Sequence, residues 1–183
     1  MSRSLVVAAG HALSSVAPGP SLWIERVTEP LAEVADVDAI ATASFTEGGF
    51  SIDDELARPW SRVWIARADG SIGGFLIAWH VADELHVLNV ATAPPLRRRG
   101  IASALMRAAL DYAKQSRVRI VLLEVRRSNR AALRLYRTFA FSAMGIRPNY
   151  YSDDGEDAVE MILGLDPETG RELPGQDEVH LDL

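Results

Sequence analysis

The spacing of hydrophobic residues changes near residue 100, and this change constrains the fold more than any other feature. Before it, the segments 63–68, 72–81 and 85–91 read as strands, and Asp69-Gly70 is a strong hairpin turn. After it, apolar residues recur at helical spacing from Ile101 to Gln115. We therefore predict an antiparallel meander that gives way to a locally parallel arrangement around this helix.

Shorter patterns predict the remaining elements. The continuous apolar run at 120–125, with Glu124 as its one exception, is typical of a strand buried on both faces. The order β-α-α-β-β-β-α-β-α-β-β predicts an α/β fold in which helices flank a mixed, mostly antiparallel central sheet. The other strands are expected at 22–27, 141–148 and 158–163, and the other helices at 31–45, at 51–56 with Ser51 as cap, and after Ser128 or Asn129.

The 183 residues suit one domain with short additions at either end. Pro18, Gly19 and Pro20 separate residues 1–20, which we expect to form a mobile extension, from a domain at 21–165. The apolar stretch in this extension is short and broken, so it is a poor export signal. Six acidic residues among prolines and glycines predict a mobile acidic tail at 166–183.

Composition excludes several classes of function. The chain has no cysteine, which excludes cysteine nucleophiles, disulfides and thiolate metal sites and is compatible with a reducing, cytoplasmic location. Its four histidines lack metal-ligand spacing, so no metal is expected. The net charge of −6 argues against a nucleic-acid-binding surface, and no apolar run approaches membrane-spanning length.

The first candidate site is the segment Arg97-Arg98-Arg99-Gly100-Ile101-Ala102, which lies between a strand and a helix. A helix N-terminus offers unpaired backbone N–H groups and a positive dipole end, both suited to a phosphate. The small residues let a pyrophosphate approach the backbone, and the arginines add charge. The alternative interpretation is a solvated basic cluster before an ordinary helix.

Three further features are candidates for chemistry. Glu124 lies within an apolar strand, so it is either a useful carboxylate or one at the hydrated end of that strand. Tyr136 lies on the apolar stripe of its helix and is either an acid or a core residue. Tyr150 and Tyr151 precede an acidic, glycine-containing turn and could form the wall of a peptide site or simply pack.

Together these features resemble the GNAT acetyltransferases, and more narrowly the RimI family, which acetylates the N-terminal alanine of a small-subunit ribosomal protein. The similarity covers residues 22–165. The specific matches are Asn89-Val90-Ala91-Thr92, Arg97 to Ala102, Leu123-Glu124-Val125-Arg126, Ser128-Asn129, Leu135-Tyr136, Arg147, Asn149-Tyr150-Tyr151 and Gly155-Glu156-Asp157-Ala158.

The resemblance implies a GNAT fold with strands splayed at an acetyl-CoA site, and a role for each matching residue. Glu124 would be the general base and Tyr136 the general acid. Tyr150 and Tyr151 would shape the peptide slot. The residues implied to bind acetyl-CoA are Val90, Ala91, Thr92, Arg97, Arg98, Arg99, Gly100, Ile101, Ala102, Ser103 and Asn129.

The sequence departs from the family pattern at three places. Ala140 replaces a glycine that eases a turn, and Arg97 stands where glutamine is usual. Residues 45–51 replace a Pro-Trp-Ser segment that helps to shape the acceptor site. The expected partner is a protein N-terminus, such as that of a basic ribosomal protein. A lysine or small-molecule amine as acceptor, and a non-catalytic acyl-CoA-binding module, remain alternatives.

Overall fold

The computed structural model describes residues 21–45 and 51–181. The predicted extension at 1–20 and most of the divergent segment at 45–51 lie outside them. The strands are β1 (Leu22–Val27), β2 (Ser61–Ala68), β3 (Ser71–Val81), β4 (Glu84–Thr92), β5 (Ile120–Arg126), β6 (Ser142–Arg147), β7 (Ala158–Leu165) and β8 (Glu172–Leu173). The helices are α1 (Val34–Thr42), α2 (Ile52–Leu56), α3 (Ile101–Gln115) and α4 (Arg130–Arg137).

The predicted order of elements is confirmed, with β8 as an addition. The strands form one sheet in the order β1-β2-β3-β4-β5-β7-β6, and β8 pairs with β7. Strands β1 to β4 are antiparallel neighbours, while β4 and β5, joined through α3, are parallel. The local change predicted near residue 100 therefore produces the one parallel pair among the described strands.

One of the first two helices differs from its predicted bounds, and the other begins where the sequence predicts it. α1 is shorter than the expected 31–45, although Leu31 and Phe45 still pack against the core beside it. α2 begins as predicted, because the Ser51 hydroxyl accepts a hydrogen bond from the Asp54 amide at 3.3 Å. Such a side-chain cap satisfies one of the free N–H groups at a helix start.

Two hydrophobic cores lie on opposite faces of the sheet. α1 and α2 cover β2 and β3 on one face, while α3 and α4 cover the sheet on the other. The prediction that β5 is buried on both faces is wrong. Val121, Leu123 and Val125 are buried beneath the helices, but the alternate residues are only half-buried because α1 and α2 do not reach over them.

The pair β4 and β5 separates part of the way along its length. Pairing ends at Val87 with Leu123, although β4 continues to Thr92 and β5 to Arg126. Leu88 is an extra residue against β3, since Ile77 pairs with Asn89 and Ala78 with Val87. Such a bulge bends a strand and interrupts its pairing. The splayed strands expected from the resemblance are therefore present.

The tail after Leu165 packs against the domain as far as it is described. β8 adds to β7, and Val179 and Leu181 pack against the core. Residues 166–181, for which the composition predicts a mobile tail, therefore have defined contacts with the domain. Its acidic composition suggested solvation, but an ion pair and apolar residues at 179 and 181 hold the segment in place.

Among the described helices, none has the length and apolar character needed to cross a bilayer.

Candidate active site

A cavity of about 640 Å³ opens where β4 separates from β5. Its walls contain most of the residues that the resemblance implies for acetyl-CoA binding. Ten of the eleven residues predicted to bind acetyl-CoA line it: Val90, Ala91, Thr92, Arg97, Arg98, Gly100, Ile101, Ala102, Ser103 and Asn129. Arg99 is not among the lining residues. The strand end, the loop and the start of α3 thus form one continuous surface.

The start of α3 has the features of an anion site. Gly100 is the N-cap with φ of 83°, and no side chain of the described residues caps this end, so the first backbone N–H groups of α3 can bind a ligand in the cavity. A Cβ at Gly100 would meet nothing within 4 Å, which shows that the space beside the backbone is open. Arg98 also has a positive φ, 63°. These residues fit a pyrophosphate.

Two glycines in β3 bring α3 and β4 close to the strand. A Cβ at Gly74 would lie 2.6 Å from the Ala91 carbonyl oxygen and 2.9 Å from Cγ2 of Ile101. A Cβ at Gly73 would lie 2.9 Å from Leu96. Ala91 and Ile101 both line the cavity. The lack of a side chain at Gly73 and Gly74 therefore sets the position of the anion-binding backbone. The sequence analysis did not identify this role.

We expect Gly74→Ala to destabilise the domain by about 1–3 kcal/mol, the usual cost of overpacking a tight contact. It should also weaken acetyl-CoA binding, because the Ala91 carbonyl must move. Gly145→Ala is the control, since its Cβ would contact Glu160 at an ordinary 3.5 Å. Chemical denaturation and calorimetric titration measure both effects. Unchanged unfolding and binding in Gly74→Ala would contradict the close approach.

Helix α4 contributes the far wall of the cavity. Asn129 is its N-cap, and its Oδ1 accepts a hydrogen bond from the Ala132 amide at 3.1 Å. The side-chain oxygen is therefore engaged in capping, which leaves the amide nitrogen for a ligand. Ala132, Leu135 and Tyr136 follow along the same wall.

Tyr136 is both a core residue and a residue of the cavity wall. Its side chain is buried and its ring lies 5.9 Å from that of Phe141, between centroids. Burial, with a smaller contribution from Tyr151, raises the pKa of Tyr136 well above its ordinary value of 10. The hydroxyl therefore stays protonated at neutral pH and remains able to donate a proton.

Glu124 lies on the face of β5 that the helices leave open. Its side chain is 29% exposed and accepts a hydrogen bond from Arg147 at 2.7 Å. On the neighbouring strand, Glu160 is its register partner. Cross-strand partners project from the same face of a sheet, so two carboxylates lie side by side here. The sequence analysis singled out Glu124 and overlooked Glu160.

The hairpin between β6 and β7 borders this open face. The rings of Tyr150 and Tyr151 meet edge to face at 5.2 Å, and the Arg147 guanidinium lies over Tyr150. Burial raises the pKa of Tyr151 to about 12, opposed by Arg126, while the charge of Glu124 contributes to the increase. Tyr151 is thus within electrostatic range of both Glu124 and Tyr136.

Arg126 holds the hairpin in place from the end of β5. Its guanidinium lies 3.9 Å from the centre of the Tyr151 ring. It also pairs with three carboxylates of the turn, those of Asp153, Asp154 and Glu156. These contacts raise the pKa of Arg126, chiefly through Asp153. The acidic turn is therefore organised around one cation.

The cavity has further lining residues that the sequence analysis missed. Ser44 and Phe45 reach it from the end of α1. Arg97 spans the gap to this segment, with its guanidinium 3.4 Å from the Ala43 carbonyl oxygen. The divergence of residues 45–51 from the family pattern was the available sign that this region borders the site.

Comparison with known proteins agrees with this geometry. The Acetyltransferase (GNAT) family matches residues 31–141. A Bacillus subtilis protein with the provisional name ribosomal protein bS18-alanine N-acetyltransferase is 34% identical over 138 residues, 75% of this chain and 91% of that one. The Mycobacterium tuberculosis N-alpha-acetyltransferase RimI is 36% identical over 111 residues, 58% of this chain and 68% of that one.

A solved structure supports the same assignment. The ribosomal-protein-S18-alanine N-acetyltransferase from Escherichia coli superimposes with a TM-score of 0.69 at 26% identity, over 78% of this chain and 94% of that one. The GNAT fold expected from the sequence is confirmed. The chain belongs to the GNAT family and is a RimI-like, acetyl-CoA-dependent acetyltransferase.

Proposed function

We propose that this enzyme transfers the acetyl group of acetyl-CoA to the α-amino group of a protein, with Glu124 as general base and Tyr136 as general acid. The observation that carries the proposal is the place of the two residues beside the splayed end of β4. Tyr136 lines the cavity together with Val90 to Thr92. Glu124 is the first residue of β5 beyond the end of its pairing with β4.

The walls of the cavity divide into two binding regions for acetyl-CoA as co-substrate. Val90 to Thr92 pair with β3 on one side but not with β5 on the other. The side toward β5 is suited to hydrogen-bond an extended pantetheine arm as a neighbouring strand would. The start of α3, from Arg98 to Ser103, is suited to hold the pyrophosphate. In this arrangement the thioester faces Tyr136, and the open face beside Glu124 is left for the acceptor.

The acceptor amine must be uncharged before it attacks. Glu124, acting directly or through a water molecule, removes a proton from the ammonium group. The amine nitrogen then forms a bond to the thioester carbonyl carbon, and the carbon–sulfur bond breaks. Tyr136 gives its hydroxyl proton to the departing thiolate. The nitrogen, now part of the amide, releases its surplus proton to water, and water returns a proton to Tyr136. The Tyr136 hydroxyl is protonated at neutral pH, as this role requires, and burial raises its pKa further.

The choice of an α-amine rests partly on proton energetics. Its ordinary pKa is roughly 7.7–8.0, against about 10.4 for a lysine side chain. At about 1.36 kcal/mol per pKa unit, deprotonating the lysine costs roughly 3.5 kcal/mol more. A half-buried carboxylate that is already paired with Arg147 suits the easier task.

The aromatic hairpin and the named relatives support a peptide acceptor. Tyr150 and Tyr151 form a wall beside Glu124, which a small-molecule amine does not require. The similar proteins are named for alanine of a small-subunit ribosomal protein or for an α-amino group. We infer that an N-terminal alanine of such a protein is the preferred acceptor here too.

A panel of peptides tests this acceptor. Peptides with different free N-terminal residues, including the alanine-starting N-terminus of ribosomal protein bS18, are compared with an N-blocked peptide that carries one lysine. We expect the alanine peptide to have the largest kcat/KM and the blocked peptide to be the poorest substrate. Acetylation of the lysine peptide alone would contradict the proposal.

A further inference from the structure

Residues 174–181, here called the C-terminal strap, run alongside helix α4 and the edge strand β6. Beside the end of the helix, the Ser142 hydroxyl donates to the Gly175 carbonyl at 2.8 Å. The Glu178 amide donates to the Ala143 carbonyl at 2.9 Å. At the other end, His180 and Leu181 line a second cavity, of about 450 Å³, together with residues at the start of α4: Ser128, Arg130 and Leu133.

Asp177 is the residue of the strap that contacts α4 by an ion pair. Its carboxylate binds both terminal nitrogens of Arg137, with one of these contacts at 2.6 Å, and accepts from the Ala143 amide at 2.8 Å. Bidentate pairs of this type fix orientation as well as position. The Arg137 guanidinium holds the pKa of Asp177 below its usual range, so the carboxylate is ionised at neutral pH.

Arg137 connects this ion pair to Tyr136. Besides binding Asp177, it donates to the Phe141 carbonyl oxygen at 3.2 Å. The ring of Phe141 packs against that of Tyr136, and its amide donates to the Tyr136 carbonyl. The contacts therefore run from the strap through Arg137 and Phe141 to the tyrosine that lines the cavity.

The turn between α4 and β6 contains an alanine in a backbone conformation that is sterically unfavourable for it. Ala140 has φ of 61°, the left-handed conformation that glycine adopts without steric cost. For an alanine the conformation costs roughly 1–2 kcal/mol. Arg137 and Asp177 bind Phe141 and Ala143, which lie on its C-terminal side.

We propose that Asp177 is a positioning residue for the reaction, which acts through Arg137 to set the place of the Tyr136 hydroxyl. This inference rests on the acid role of Tyr136 in the proposed function. It predicts that loss of the ion pair lowers kcat and changes the KM for acetyl-CoA little, since the anion-binding backbone of α3 lies on another element.

The test compares Asp177→Asn with Glu172→Gln. Glu172 also lies after the domain and pairs with Lys114 at 3.0 Å with similar exposure, but Lys114 belongs to the last turn of α3. We expect both variants to lose some thermal stability. Asp177→Asn alone should lose about tenfold in kcat, within the range produced by small displacements of a catalytic group.

A double variant checks that the effect passes through Arg137. If Asp177 acts through this arginine, Arg137→Gln and Asp177→Asn together should lower kcat no more than the more severe single variant. Asp177→Glu, which keeps the charge, should restore part of the activity. Equal kcat in Asp177→Asn, Glu172→Gln and the parent would overturn the inference.

A spectroscopic measurement separates this inference from the proposed function. The chain has four tyrosines, so the fluorine spectrum of 3-fluorotyrosine-labelled protein can be assigned with Tyr136→Phe. We expect the Tyr136 resonance to move in Asp177→Asn and not in Glu172→Gln. An unmoved resonance overturns the inference, whatever the acceptor. A moved resonance with unchanged kcat overturns both the positioning role of Asp177 and the acid role of Tyr136.

Discussion

Glu124→Gln is expected to lower kcat by roughly 10²- to 10⁴-fold, the contribution typical of a general base, while acetyl-CoA still binds. Glutamine keeps the size of the side chain and can still accept a hydrogen bond from Arg147, but it cannot accept the proton of the ammonium group. Single-turnover rates across about pH 6–9 measure the chemical step without product release.

Glu160→Gln is the matched control for this experiment. Glu160 is the register partner of Glu124 on β7, so the same substitution is made one strand away on the same face. We expect its rate to stay close to that of the parent. A large loss in Glu160→Gln with little in Glu124→Gln would assign the base to Glu160 instead. Unchanged single-turnover rates in both variants would show that neither carboxylate is the general base.

Tyr136→Phe is expected to lower kcat by roughly 10²-fold or more, because the thiolate would leave without a proton donor. The raised pKa of Tyr136 gives this acid a pH signature. An acid is active in its protonated form, and raising its pKa extends that form to higher pH. The parent should therefore show no loss of kcat from this group below about pH 10, the ordinary tyrosine pKa.

Tyr112→Phe controls for the loss of a tyrosine hydroxyl outside the cavity. Its hydroxyl accepts from Arg62 at 2.6 Å and contacts His80 at 2.7 Å. Removing it should reduce stability and leave kcat unchanged. If Tyr136→Phe instead lowers only the melting temperature, Tyr136 is a core residue and not the acid.

Local patterns were sufficient to predict most of the fold. The period of 3.6 located α3 at its observed bounds, Ile101 and Gln115, because an amphipathic helix needs one continuous apolar stripe. Short apolar segments, together with the Asp69-Gly70 turn, located β2 to β4 to within a few residues. α1 was overextended because Leu31 and Phe45 are apolar for packing beside the helix, which a period alone does not distinguish.

Contacts between distant residues could not be predicted in the same way. The pairing of Glu124 with Arg147 and its proximity to Glu160 depend on the order of β5, β7 and β6 in the sheet. The tail appeared mobile because composition reports average solvation. It does not show that Asp177 finds Arg137 forty residues away. Ser44 and Phe45 reach the cavity because of the direction in which α1 runs, and no local sequence pattern predicts that direction.

One peptide with both a free N-terminal alanine and an internal lysine tests the central claim most directly. After incubation with the enzyme and acetyl-CoA, fragmentation by mass spectrometry locates the acetyl group within the peptide. The account predicts acetylation at the α-amino group, with loss of this product in Glu124→Gln. Acetylation at the lysine side chain, with the α-amino group left free, would contradict it.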